Sequence, residues 1–112
     1  MKIARVAEIL DADILAGKDH LDNEVKSACG SDMMSDVLAY VKDQGVLLSG
    51  LMNPQVIRTV MMMDMLCVVF VRGKKPSDDI LRLAESAGVV VLSTELTMFQ
   101  SCGRLYAAGL GV

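Results

Sequence analysis

The sequence predicts an α/β fold, a three-layer αβα sandwich with a short mixed or parallel sheet of about four to five strands. Short β-branched runs alternate along the chain with longer segments whose apolar residues recur at helical spacing. The runs 66–71 and 89–93 are almost wholly apolar, which is typical of strands covered by helices on both faces. Residues that cap helices follow most of the runs, so helices are expected between the strands.

Five strands are predicted from these runs. They cover residues 13–16, 24–28, 46–49, 66–71 and 89–93. The polar segment 20–23 is predicted to be a loop before the second strand.

The first predicted helix begins at Ser31 or Asp32, either of which can cap it. It runs to about Asp43, and Gly45 is expected to end it. Its apolar positions recur at helical spacing and are Met34, Val37, Leu38 and Val41.

Three further helices are predicted from their starts. Asn53 followed by Pro54 combines a cap with proline at the first helical position, and that helix runs to about Met63. The segment 76–79 opens a helix that ends at Gly88, with two carboxylates in its first turn. Thr94 is expected to open the last helix, which ends near Ala107.

Composition limits the class of protein. With 112 residues, 53% of them hydrophobic and 22% charged, residues 1–112 are expected to form one domain. The net charge is -3 and the basic residues are dispersed, which disfavours binding to nucleic acid. The most apolar stretch, 60–71, contains Asp64 and is shorter than the roughly 20 residues that span a membrane.

The residue types also limit location and chemistry. The N-terminus has acidic residues where a signal peptide needs an apolar region, and the 3 cysteines are widely spaced, so a cytoplasmic protein with reduced thiols is expected. With His20 as the single histidine, no metal and no cofactor are predicted. Asp32 and Asp36 could share a helix face, but no nucleophile accompanies them, so no catalytic residue is predicted.

The turn after the fourth predicted strand is the main candidate for ligand binding. In open α/β sheets ligands collect at the carboxyl ends of strands, close to helix N-termini. Gly73 would let an anion approach the backbone, and Arg72 and Lys74 would add positive charge. Asn53 and Thr94 follow two other strands and could line the same edge. The alternatives are a solvated turn at 71–77 and plain helix caps at Asn53 and Thr94.

A run of methionines suggests a contact surface. Adjacent positions on a helix point in different directions, so some of these flexible side chains are expected at the surface, where they suit a subunit or partner interface. The alternative is loose filling of the core. The predicted interface residues are Met61, Met62, Met63 and Met65.

Three segments, 30–38, 69–76 and 83–94, resemble the DRTGG domain in order and spacing. The family's Asp-Arg pair falls on Asp32 and Met33, and its Thr-Gly-Gly falls on residues 71–73. Asp32 and Gly73 are the retained signature residues, which makes this a divergent, stand-alone type of member. As a retained signature residue, Asp32 joins the predicted ligand site.

The resemblance implies a fold like the N-terminal domain of HPr kinase/phosphorylase, and a homodimer. Kinase activity is not expected, because Gly73 and Lys74 lack the other residues of the phosphate-binding pattern GxxxxGK[ST]. The predicted function is a non-catalytic regulatory module that senses an anionic small molecule, either a nucleotide or a phosphometabolite. The alternative is an adaptor for a regulatory protein partner without a small-molecule ligand, in hydrogenase or carbon-metabolism regulation.

Overall fold

The computed structural model describes residues 1–40 and 44–111, and of Tyr40 it describes only the backbone. Within these ranges, five strands form one sheet in the order β1-β5-β4-β3-β2. β1 is antiparallel to β5, and the other three pairs are parallel, so the sheet is mixed and mostly parallel, as predicted. The strands are β1 (Asp13–Ala16), β2 (Ser27–Gly30), β3 (Gly45–Ser49), β4 (Cys67–Phe70) and β5 (Val90–Ser93).

Helices cover both faces of the sheet. They are α1 (Ile3–Ile9), α2 (Met34–Tyr40), α3 (Pro54–Met62), α4 (Asp78–Ala87) and α5 (Met98–Ala107), with a short 3-10 helix at Lys18–His20. Apolar residues of α1 and α5 pack on one face, and those of α2, α3 and α4 pack on the other. The three-layer αβα prediction is therefore confirmed.

The core follows the two-residue period of the strands. Val46 and Leu48 of β3 face the side of α1 and α5, whereas Leu47 between them faces α3. All three are fully buried. Because both faces are covered, the central strands are apolar up to their last residues, where Ser49 ends β3 and Ser93 ends β5.

Two elements near the N-terminus differ from the prediction. α1 was not predicted, although Ile3, Val6, Ala7 and Leu10 recur at helical spacing and are buried. The second strand begins at Ser27 instead of residue 24, because Glu24 forms only an isolated antiparallel bridge with Lys2, just before α1.

The predicted limits of α3 and α4 are close to the observed ones. The Asn53 side chain accepts a hydrogen bond from the Gln55 amide (2.9 Å), and Pro54 occupies the first helical position. Gly88 follows α4 with a φ of +71°, as expected for a glycine that ends a helix.

The predicted limits of α2 and α5 need correction. α5 begins at Met98, where Thr97 and Gln100 form a capping box, because the Thr94 hydroxyl instead donates to the Leu10 carbonyl (2.7 Å). Gly45 is the first residue of β3, and it is Gln44 that has a positive φ of +60°. Val41 and Asp43 lie outside the described residues. No helix in the described ranges is long and apolar enough to cross a membrane.

Candidate ligand-binding site

The candidate site lies where three neighbouring parallel strands end. β2 leads to Asp32, β3 leads to Gly50, and β4 leads to the turn that contains Arg72 and Lys74. Because β2, β3 and β4 are adjacent and parallel, their carboxyl ends meet at one edge of the sheet. Residues that are 18 to 24 positions apart in sequence are thereby brought into contact.

The Asp32 carboxylate fixes the loop after β3. It accepts hydrogen bonds from the buried Gly50 amide (2.7 Å) and the Ser49 hydroxyl (3.0 Å). The pKa of Asp32 lies below its usual value, mainly because the carboxylate accepts the hydrogen bond from the Gly50 amide. Burial opposes this shift, whereas the Ser49 hydroxyl and the positive charges of Arg72 and Lys74 lower the pKa further. Asp32 is therefore ionised at neutral pH and ties two loops together.

Two cations surround the same glycine. The Lys74 ammonium donates to the Gly50 carbonyl (2.8 Å). A Cβ atom at Gly50 would lie 2.9 Å from Nη2 of Arg72 and 3.7 Å from Nζ of Lys74. The absence of a side chain at Gly50 thus lets the guanidinium and the ammonium approach the backbone. We call Asp32, Gly50, Arg72 and Lys74 the charged cluster.

The turn that carries the two cations is held by the loop after β5. Arg72 and Gly73 both have positive φ, +59° and +69°, and their amides donate to the carbonyls of Leu96 (2.8 Å) and Thr94 (2.7 Å). The Ser93 hydroxyl donates to the Lys74 carbonyl (2.8 Å). The backbone from Arg72 to Lys74 is therefore held by the segment 93–96.

The neighbours of Gly73 differ from the prediction that an anion could approach its backbone. Its amide is already bonded to Thr94, and a Cβ atom at Gly73 would lie 2.5 Å from a carboxylate oxygen of Glu95. A carboxylate therefore occupies the space in which an anion was expected to approach the backbone. Gly73 shapes the turn through its positive φ.

Thr94 and Asn53 do not join the charged cluster. Thr94 is buried, and its hydroxyl donates to Leu10 and accepts from the Leu96 amide (3.2 Å), so it joins the loop after β5 to the end of α1. Asn53 is exposed and caps α3. Of the predicted ligand residues, the structure brings together Asp32, Arg72 and Lys74, with Gly73 in the turn between the two cations.

An open cavity of about 470 Å³ lies beside the charged cluster. It is lined by Gly30, Ser31, Asp32, Val71, Arg72, Thr97, Met98 and Phe99. Sequence reasoning missed the contribution of α5, which supplies Met98 and Phe99. The pattern of Thr97 followed three residues later by Gln100 is a capping-box signal that could have placed the helix start, and hence Phe99, at this edge.

The burial and grouping of the cysteines and the acidic residues in the described ranges bear on their use as thiolates and as metal ligands. Burial raises the pKa of Cys29, Cys67 and Cys102, so these thiols stay protonated at neutral pH. Within residues 1–40 and 44–111, no group of three or more His, Cys, Asp or Glu side chains could hold a metal ion. His20 lies beside Gly88, which precedes the amino end of β5. The charged cluster lies at the other end of the strands, where β2, β3 and β4 finish.

The predicted interface methionines separate into two groups. Met61 and Met62 are 46% and 68% exposed at the end of α3. Met63 is half-buried, and Met65 is 3% exposed and packs in the core on the side of α3 and α4. Met65 is therefore a core residue and not a surface contact, because the chain turns inward towards β4 after Asp64.

The fold and the loops at its carboxyl edge define a small α/β domain with a five-stranded, mostly parallel sheet. Residues 5–108 match the DRTGG domain model, and the chain belongs to the DRTGG domain family. No curated protein matches the sequence.

A solved structure shares the fold. It contains the CBS and DRTGG domains of the regulatory region of Clostridium perfringens pyrophosphatase, in complex with the activator diadenosine tetraphosphate. The TM-score is 0.76 at 13% sequence identity, and the match covers 93% of this chain. This chain spans 45% of that one, which is less than half of its length.

Proposed function

We propose that this protein is a non-catalytic, cytoplasmic regulatory module that senses an anionic small molecule, a nucleotide or a phosphometabolite. The observation that carries the proposal is the charged cluster, in which Arg72 and Lys74 meet above Gly50 beside an open cavity. Residues 1–112 are proposed to act as one domain.

The electrostatics of the cluster favour an anion. Asp32 is engaged by the Gly50 amide and the Ser49 hydroxyl, so its charge is partly satisfied by neutral donors. Arg72 lines the cavity and Lys74 lies beside it at Gly50, whereas the Glu95 carboxylate lies on the Gly73 side of the turn. A guanidinium presents several N–H donors in a planar fork that fits phosphate or carboxylate oxygens. The fixed backbone of Arg72 reduces the entropy that is lost on binding.

The comparison with the pyrophosphatase agrees with this class of ligand. In that protein, a regulatory region with a domain of this fold is complexed with a dinucleotide activator. A regulatory role for this chain rests on that analogy of fold, whereas the ligand class rests on the charged cluster.

Binding can be measured by thermal shift and by calorimetry with ATP, ADP and ribose 5-phosphate. We expect at least one of these anions to raise the melting temperature of the wild type, because a ligand that binds only the folded state stabilises it. Arg72→Ala should abolish the shift. Arg58→Ala is the matched control, since Arg58 is an exposed arginine on α3. A shift that survives Arg72→Ala, or no shift with any of the three anions, would reject the proposal.

A homodimerising adaptor for a regulatory protein is the second candidate, and the exposure of Met61 and Met62 favours it. Both lie at the end of α3, and Met61 also borders a cavity of about 320 Å³ with Asp64, Met65 and Val89. Exposed methionines suit adaptable contacts. Met61→Lys with Met62→Lys should lower the molar mass measured by light scattering, whereas Gln55→Lys, also exposed on α3, should not. An unchanged mass in the double variant would count against this interface.

A further inference from the structure

A second cavity adjoins the one beside the charged cluster. Its volume is about 550 Å³, and it lies between the end of β2 and α5. Its walls include Ala28, Cys102, Leu105, Tyr106 and Leu110, and no charged residue is among the described residues that line it. The two cavities share Gly30 and Phe99. Together they form one trough that runs from Arg72 to Tyr106, which we call the α5 trough.

Gly30 lines both cavities of the α5 trough and has no side chain that would fill them. A Cβ atom there would lie 2.7 Å from Sγ of Cys102 and 3.1 Å from Sδ of Met98. α5 therefore lies close against the end of β2, and the side chains of Cys102 and Met98 cover Gly30 where the two cavities meet. A side chain at position 30 would displace them.

Two surface aromatic residues line the apolar part of the trough. The chain has 2 Phe and 2 Tyr residues; Phe70 is buried, and the side chain of Tyr40 is not among those described. Phe99 is 87% exposed and Tyr106 is 69% exposed. They lie two helical turns apart on one face of α5, separated by about 10 Å along its axis. Exposed apolar residues that border a cavity are typical of a binding surface.

The two ends of the trough differ in charge. Arg72 stands at one end beside Lys74, and the aromatic and aliphatic residues occupy the other. A matching occupant has an anionic group at one end and a flat apolar group at the other. Each cavity has a volume within the usual range for small-molecule sites.

We propose that the α5 trough binds a nucleotide, with its phosphates at Arg72 and its base against Phe99 and Tyr106. This inference rests on the proposed function, because it uses the same anion site, and it selects a nucleotide over a phosphometabolite without a base. Aromatic side chains bind any base through its flat face, so the trough accepts purines with little dependence on their edge groups. The apolar walls remove the base from water, which adds to the stacking.

Calorimetry with ATP, ribose 5-phosphate and adenosine separates the two ends of the trough. We expect ATP to bind more tightly than either of the other two. Phe99→Ala should weaken ATP about tenfold, as expected for the loss of one stacked base, and should leave ribose 5-phosphate unchanged. Phe99→Tyr should retain ATP binding. Met62→Ala is the matched control, because Met62 is an exposed apolar residue on the opposite face of the sheet.

The outcomes distinguish this inference from the proposed function. If ribose 5-phosphate binds as tightly as ATP and both are lost in Arg72→Ala, the anion site stands and the nucleotide inference is wrong. If neither binds, both are wrong. Sedimentation of wild type and Phe99→Ala tests another occupant: a loss of dimer in Phe99→Ala with unchanged ATP affinity would assign the trough to a second copy of the chain and overturn the inference. Phe99 and Tyr106 are exposed, so their variants should fold, which the melting temperature checks.

Discussion

The two outer strands of the sheet both lead to a glycine, but the two glycines have different neighbours. A Cβ atom at Gly17, directly after β1, would lie 2.8 Å from Cα of Val90 and 2.9 Å from the Val89 carbonyl oxygen. The nearest atoms to a Cβ at Gly30, at the end of β2, would be side-chain atoms of Cys102 and Met98. Backbone cannot move aside without shifting a strand, whereas side chains can change rotamer.

The difference separates the two outer strands of the sheet: the chain is packed more tightly beside β1 (the closed edge) than beside β2 (the open edge). At the β1 edge, the Gly17 amide also donates to the Glu85 carboxylate (2.9 Å), so the chain is held against both β5 and α4. At the β2 edge, two cavities of about 550 and 470 Å³ remain beside Gly30, whereas the cavity between β1 and α4 is smaller, at about 260 Å³. The closed edge stabilises the fold, and the open edge leaves room for a ligand.

Gly17→Ala and Gly30→Ala form a matched pair that tests this contrast. Gly17→Ala should lower the free energy of unfolding by about 3 kcal/mol, because it adds a backbone clash to an unfavourable φ of +77°. Gly30→Ala should cost less than about 1 kcal/mol, since the neighbouring side chains can adjust. Urea denaturation measures both values. Equal losses would mean that the two edges are packed alike.

Asp32→Asn tests how much the charged cluster, which follows β2, contributes to stability. Asparagine can still accept from the buried Gly50 amide, but it loses the charge, so the expected loss is about 1 kcal/mol at pH 7 for this largely exposed group. The pKa of Asp32 is below its ordinary value of 3.8 in the folded state. Its contribution to stability is therefore fully present above pH 3.8 and is lost as the pH falls through the lower folded-state pKa.

The pH dependence of this variant supplies its control. Urea denaturation of wild type and Asp32→Asn at several pH values should give a constant difference above about pH 5, with a decrease only in strong acid. A difference that persists unchanged below the folded-state pKa would show that the carboxylate charge does not hold the loop.

Arg72→Gly should have the smallest effect on stability and a complete effect on binding. Glycine adopts a φ of +59° without steric cost, which offsets its greater entropy in the unfolded state, so the free energy of unfolding should stay within about 1 kcal/mol of the wild type. Loss of the guanidinium should abolish anion binding. A variant that loses more than about 2 kcal/mol would mean that the Arg72 side chain holds the edge together and is not free to serve a ligand.

Most of the fold was predictable because its signals are local. The short runs located β1, β3, β4 and β5 to within one residue at each end, whereas the prediction 24–28 overlaps β2 only at residues 27–28. Asn53 with Pro54 and Gly88 located helix ends that depend on their own neighbours alone. α1 was missed because it has 7 residues and no side-chain cap at Lys2, so its apolar spacing is its main signal. Thr94 was assigned to a helix start because its partner, the Leu10 carbonyl, is 84 residues away in sequence.

The candidate site was predictable only in part for the same reason. Arg72 and Lys74 follow a recognisable strand, so their position at the carboxyl edge was expected, and the family resemblance added Asp32. The sequence did not indicate that Glu95 would fill the space at Gly73, nor that α5 would place Phe99 beside Asp32. Both facts depend on how the loop after β5 packs, which no local pattern describes.

The pairing of β1 with β5 has a consequence for the order in which the protein folds. The parallel strands β2 to β5 follow one another in sequence and in the sheet, so each pair forms over a single connection that contains one helix. β1 must instead wait for the last strand, since Asp13 pairs with Ser93. On the ribosome, the first strand would remain without its partner until residue 93 has been synthesised, and docking of β1 would be a late step with a high entropic cost.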